Sequence, residues 1–178
     1  MLSRLWIKPN IGHALAQGGL AGAFALLLAL PITWEITAQA THAILTLGGV
    51  PSLLVLAPND PTLYVKTADG SIAAFAILVE CSGLITVAIF GLILAATMGL
   101  LQGPFWFKGL WTAVGTTVGL LWNVNRLVLS ASAAHYVGMQ AFEAIHFIFS
   151  PMVDFLWMVV VWSLGMSLMG RWAPEVRS

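Results

Sequence analysis

Hydrophobic positions in this chain come in long runs. Four segments, about 12–33, 78–100, 107–129 and 148–169, reach the roughly 20 predominantly apolar residues that a bilayer span needs. From Cys81 to Phe107 no charged residue occurs. The turn Gln102-Gly103-Pro104-Phe105-Trp106-Phe107-Lys108 is short enough to force the second and third segments into an antiparallel helix pair.

The polar pattern changes between the first two runs. Residues 34–47 mix Trp34, Ala38, Ile44, Leu45 and Leu47 with Thr and Gln, which suits a short helix lying in the outer interface. Ser52–Ala57 and Thr62–Thr67 are β-prone runs around Pro58-Asn59-Asp60-Pro61, and predict a hairpin. A third short apolar run, Ser71 to Leu78, leads into Cys81. The expected fold is an all-α membrane protein of about four transmembrane helices, with an outer interfacial helix and a small β-hairpin over 34–77. With no internal repeat, 1–178 reads as one domain.

Composition agrees with the pattern. The 178 residues are 60% hydrophobic and 8% charged, with mean hydropathy +0.94, against about 25% charged residues in soluble proteins. Net charge is zero and the basic residues are scattered, which excludes a nucleic-acid footprint. The single cysteine allows no intrachain disulfide, the ligand pairs of a structural zinc site are missing, and no cofactor is implied. The first forty residues imitate a secretory signal, with Arg4 and Lys8, an apolar run and Ala38-Gln39-Ala40. A retained helix is the better reading, because 12–33 can span and Trp34 and Glu35 separate it from the cleavage-like site. Arg4, Lys8, Lys108, Arg171 and Arg177 fall on one side of a four-span arrangement, which makes both termini cytoplasmic in a plasma membrane. Trp106, Trp111, Trp157, Trp162 and Trp172 are candidate interfacial anchors.

Candidate chemistry gathers at the opposite, outer ends of the runs. If the second helix starts near Leu78, Cys81 lies in its first turn, where free N–H groups favour a thiolate, and Ser82 and Gly83 let a backbone or substrate approach. The plainer alternative is a small buried apolar residue. Arg126 lies inside the third run, about one turn from its outer end, and a charge there points to function. Asn123 shares its face and offers an amide to the guanidinium. His146 opens the last run as a candidate acid/base, with Glu143 three residues earlier to fix its tautomer. His135 is the rival, while His13 and His42 read as structural. Pro151 leaves the start of the fourth helix open. Asp154 is then either an outer-interface acid able to pair with Arg126, or buried about two turns in and in need of a partner. Glu80 reads as a rim charge. Gly115 and Gly119 stand at the spacing of close helix packing.

Glu80-Cys81-Ser82-Gly83-Leu84, Asn123-Val-Asn-Arg126 and His146, in this order and topology, resemble the exosortase/archaeosortase family of polytopic cysteine transpeptidases, over roughly residues 40–165. The family's histidine is often followed by Asp and a nearby Gly, where this chain has Phe147 and Ser150-Pro151. The resemblance implies that Cys81 attacks a peptide carbonyl near the C-terminus of a secreted protein. It also implies that Arg126 stabilises the oxyanion or the thiolate, and that His146 moves protons. It further implies a substrate with a C-terminal transmembrane sorting signal, an acceptor that is a lipid or another nucleophile, and a site on the extracytoplasmic face. Two other classes compete. One is a small four-span transporter or channel subunit in which Arg126 and Asp154 line a path; the other is a non-catalytic membrane assembly factor.

Overall fold

The computed structural model describes residues 11–28, 30–57, 60–78, 83–101 and 103–171. The chain is mostly helical with one small antiparallel sheet. Helix α1 (Ile11–Leu28) is followed by α2 (Pro31–Leu47). Leu30 is extended and Pro31 opens α2, as a proline demands of the residue before it, and the two helices are bent by 68°. The predicted 12–33 run therefore ends at Leu28.

The predicted hairpin is present as β1 (Ser52–Ala57) and β2 (Asp60–Lys66), and the run after it adds β3 (Ile72–Ala76) in the order β1-β2-β3. Leu63 and Val65 alternate inward from β2, as a half-buried strand requires. The β2–β3 turn is built on Asp69 and on Gly70, whose φ of +86° suits glycine. Asp69 Oδ1 accepts from the Thr67 hydroxyl (2.5 Å), the Ser71 N–H (3.1 Å) and the Ser71 hydroxyl (2.8 Å). Ala38 and Leu45 of α2 pack with Val50, Leu63, Val65, Ile77 and Ala131 beneath the sheet.

Three helices follow: α3 (Leu84–Leu100), α4 (Phe105–Tyr136) and α6 (Ser150–Gly170). Between α4 and α6 lie the short α5 (Met139–Glu143) and a π-helical turn, Ala144–Phe149, so that Met139–Gly170 runs as one helix. Pro151 has no N–H for the carbonyl four residues back and its ring crowds that turn. The wider π turn just ahead accommodates it, and the Ser150 hydroxyl donates to the Ile145 carbonyl at 2.7 Å. The helix therefore starts neither at Met152 nor at Ile145, but earlier than both.

α4 is the central element. It continues to Tyr136 instead of ending near 129, because Ala131, Ala133 and Ala134 are good helix formers that bury. Gly115 lets Leu94 of α3 and Val161 of α6 close on it, and Gly119 does the same for Val87 and the Trp157 ring; an added Cβ would meet each of these within 2.9 Å. The small-residue spacing thus serves two neighbours at once. At the α3–α4 turn Lys108 is fully buried and donates to the Gly99 carbonyl (3.2 Å) and the Leu101 carbonyl (2.5 Å), at the positive-attracting end of α3.

Among the described residues, one continuous helix, Met139–Gly170, is long and apolar enough to cross a bilayer, and the bent α1–α2 pair is a second candidate. α3 has 17 residues, short of the roughly 20 that a span needs. α4 is long, but Lys108, Asn123, Asn125, Arg126 and its threonines dilute its apolar content. Of the four spans read from hydropathy, one is thus clear among the described residues. Its outward surface carries Phe147, Phe155 and Met152, each more than 60% exposed, as a lipid-facing helix does.

Candidate functional site

The centre of the site is an ion pair between α4 and α6. Arg126 Nη1 donates to Asp154 Oδ2 at 3.1 Å, and the two side chains are only 10% and 13% exposed. The other carboxylate oxygen is also held: Trp122 Nε1 donates to Oδ1 at 2.7 Å and Trp157 Nε1 at 3.3 Å. Asp154 therefore accepts from three donors, which is how a buried charge becomes tolerable. Of the two placements open for Asp154, the structure selects the buried one, with its partner supplied. Arg126 is ten residues short of the end of α4 at Tyr136, about three turns, and not the single turn expected from the apolar run.

Helix periodicity explains the clamp. Trp122 precedes Arg126 by four residues and Trp157 follows Asp154 by three, so each indole shares the face of the charge that it serves. Trp157 is seated by Gly119 and by an edge-to-face contact with Phe90 at 4.9 Å. Trp111 donates to the Val161 carbonyl at 3.1 Å and Trp162 to the Thr97 hydroxyl at 3.3 Å. Three of the five tryptophans expected to anchor at an interface thus make hydrogen bonds within the chain, Trp162 from an exposed position. Trp106 is 61% exposed, and Trp172 lies outside the described residues.

Asn123 sits one turn before Arg126, is 3% exposed, and its Nδ2 has no hydrogen-bond partner among the described residues. Its amide packs against Gly83, where a Cβ would collide with Oδ1. Gly83 also holds φ +67° as the residue that caps α3. α3 begins at Leu84, six residues later than the predicted start at Leu78. Cys81, with Glu80 and Ser82, lies outside the described residues.

His146 falls in the π turn and is 9% exposed, with no hydrogen-bond partner on Nδ1 among the described residues. Its ring stacks on Phe142 (5.1 Å, 8°), meets Phe147 edge-on (4.9 Å), and feels the charge of Arg126. Glu143, expected to fix its tautomer, is exposed, and the buried Nδ1 of His146 makes no hydrogen bond to it. The aromatic stack takes that place. Ser130, one turn past Arg126, donates to the Arg126 carbonyl at 2.9 Å. The rival His135 donates from Nδ1 to the Lys66 carbonyl at 2.6 Å, pinning the end of α4 to β2. His42 pairs with the Ser52 hydroxyl at 2.9 Å, the structural role expected of it. No cluster of three or more His, Cys, Asp or Glu that could hold a metal occurs among the described residues.

The structure thus joins Arg126, Asp154, Asn123 and His146 around α4 and the Met139–Gly170 helix. A profile of the transmembrane exosortase family matches residues 12–163, most of the chain. The chain belongs to the transmembrane exosortase family. No curated protein and no solved structure matches it. The buried ion pair lies within the matched region, as do the glycine-bounded entry to α3 and the π turn.

Proposed function

We propose that the chain is a membrane cysteine transpeptidase or protease that cleaves a C-terminal sorting signal of secreted proteins. The observation that carries this is a buried guanidinium, fixed by a carboxylate, one helical turn from the contact between Asn123 and Gly83. Cys81 precedes Gly83 by two residues in the sequence, and two residues of extended chain reach about 7 Å. In this reading the thiol works beside Arg126, where a positive charge favours the thiolate.

The Cys81 thiol gives its proton to neutral His146, forming the imidazolium, and the thiolate attacks the scissile carbonyl carbon. The tetrahedral oxyanion is stabilised by the positive charge of the Arg126 guanidinium. The C–N bond breaks, and the leaving amine takes a proton from the His146 imidazolium, which leaves a thioester. An amine, hydroxyl or water then gives its proton to His146 and attacks the thioester carbonyl. The C–S bond breaks and the thiolate is restored. The substrate's single apolar span docks against the outward face of Met139–Gly170, and its basic tail stays on the cytoplasmic side. The arrangement with four spans, both termini cytoplasmic and the site on the extracytoplasmic face belongs to this proposal. Arg126 and Asp154 neutralise each other, so they lack the unpaired charge that a transport path would use.

Co-expression with a substrate that ends in an apolar span and a basic tail tests the reading. Cys81→Ala and Arg126→Ala leave the precursor uncleaved, and hydroxylamine releases a thioester-linked fragment from the wild type. Full processing by Cys81→Ala would exclude covalent catalysis.

A further inference from the structure

A cavity of about 230 Å³ opens between the β2–β3 edge of the sheet, α4 and the π turn. Its walls are apolar, with Leu63, Phe75, Leu127, Ala131 and Phe147, and His146 stands among them. Phe75 of β3 stacks on Phe142 (4.6 Å), which stacks on His146, so a ladder of three rings joins the sheet to the imidazole. Leu127 and Ser130 carry the same wall back to the turns of α4 beside Arg126. A cavity of ~150 Å³ is enough to bind benzene, so this one accommodates an aromatic or branched aliphatic group.

Two observations point to a peptide. First, Nδ1 of His146, nine-tenths buried, has no hydrogen-bond partner among the described residues, in a lining where Ser130 is the other polar side chain. A hydrocarbon chain would leave it unpaired, whereas a peptide brings N–H and C=O groups. Second, β3 is an edge strand among the described residues. Ile77 donates to Pro61 within the ladder, and antiparallel alternation then turns the N–H and C=O of Ala74 and Ala76 to the outer edge, where both residues line the cavity. Resting on the function proposed above, we infer that this cavity is the specificity subsite of the enzyme, taking one large apolar side chain of the substrate segment that lies extended along β3 next to the scissile bond.

The test uses the full-length protein in membranes with a co-expressed substrate series. Each residue flanking the scissile bond is changed in turn to Phe, Leu, Ala and Asp, in the wild type and in Leu127→Trp and Ala131→Leu, which enlarge side chains in the cavity wall, with folding followed by thermal melting. The wild type favours Phe or Leu over Asp at one position by about tenfold or more, and the filled variants shift the preference there toward Ala by a similar factor. Folded variants that leave every preference unchanged overturn the subsite. If the fillings only displace a co-purifying lipid, seen by native mass spectrometry, the occupant is an acyl chain and the peptide assignment fails. If the wild type processes no member of the series and Cys81 shows ordinary thiol reactivity, the underlying function fails and the subsite with it.

Discussion

Asp154 on one helix and Arg126 on another meet at 3.1 Å, each barely exposed, and two indoles hold the carboxylate from its other oxygen. A charge removed from such a pair strands its partner in a medium that cannot solvate it. Asp154→Ala therefore destabilises the protein by about 3–5 kcal/mol, while replacing both residues with leucine recovers most of that loss. Melting of the purified protein in detergent measures both. Losses that simply add in the double variant would show that the pair is uncoupled.

The indoles separate positioning from bulk packing. Trp122→Phe keeps the ring and removes the 2.7 Å bond to a charged acceptor, a loss of about 1.5–3 kcal/mol. Trp157→Phe removes a bond of 3.3 Å and costs less. If the clamp orients Arg126 toward the thiol, Trp122→Phe also moves the pH profile of Cys81 alkylation to higher pH. A packing role alone lowers the melting temperature and leaves that profile in place.

How much of this was legible in the sequence depended on which force placed each residue. The hairpin was readable because Pro58-Asn59-Asp60-Pro61 punctuates two β-prone runs. The third strand was not, although Asp69-Gly70 is itself a turn signal, because its run was read only as a lead into Cys81. Spans followed hydropathy, which cannot see that buried alanines carry α4 to Tyr136 or that a π turn carries a helix through Pro151. The partnership of Asp154 with Arg126 was one of two open readings, since the helix start decided it. Trp122 and Trp157 carried the spacing that would have found them, four residues from Arg126 and three from Asp154. Trp157 instead read as an anchor at the membrane surface, and Trp122 drew no reading. Glu143 shows the reverse failure: its spacing to His146 fits an α-helix, but it is exposed and ring stacking orients the histidine.

The β2–β3 turn titrates in a predictable direction. Hydrogen bonds from Thr67 and Ser71 hold the exposed Asp69 carboxyl down at about 2, below its ordinary 3.8. Because the folded value is the lower one, the contribution of the ionised turn is complete above about pH 3.8 and disappears as pH falls through about 2. Protection of the Ser71 amide, relative to its intrinsic exchange rate, accordingly falls as pH drops through that window in the wild type, and Asp69→Asn abolishes this pH dependence of protection. A Ser71 amide equally protected at pH 2 and pH 5 would contradict it.

Gly83 joins the two halves of the proposed mechanism, since it leads from Cys81 into α3 and touches the residue one turn before Arg126. Gly83→Ala has two costs. A side chain at φ +67° is disfavoured by about 1–2 kcal/mol, and its Cβ runs into the Asn123 amide. Gly83→Ala with Asn123→Ala removes the collision and keeps the backbone strain, so the pair of substitutions regains part of the stability lost by Gly83→Ala alone. Processing of a sorting-signal substrate falls at least tenfold in Gly83→Ala and recovers partly in the double variant, if this contact sets the approach of the thiol to the guanidinium. Recovery of melting temperature without any recovery of processing would instead place the requirement in the Asn123 amide itself.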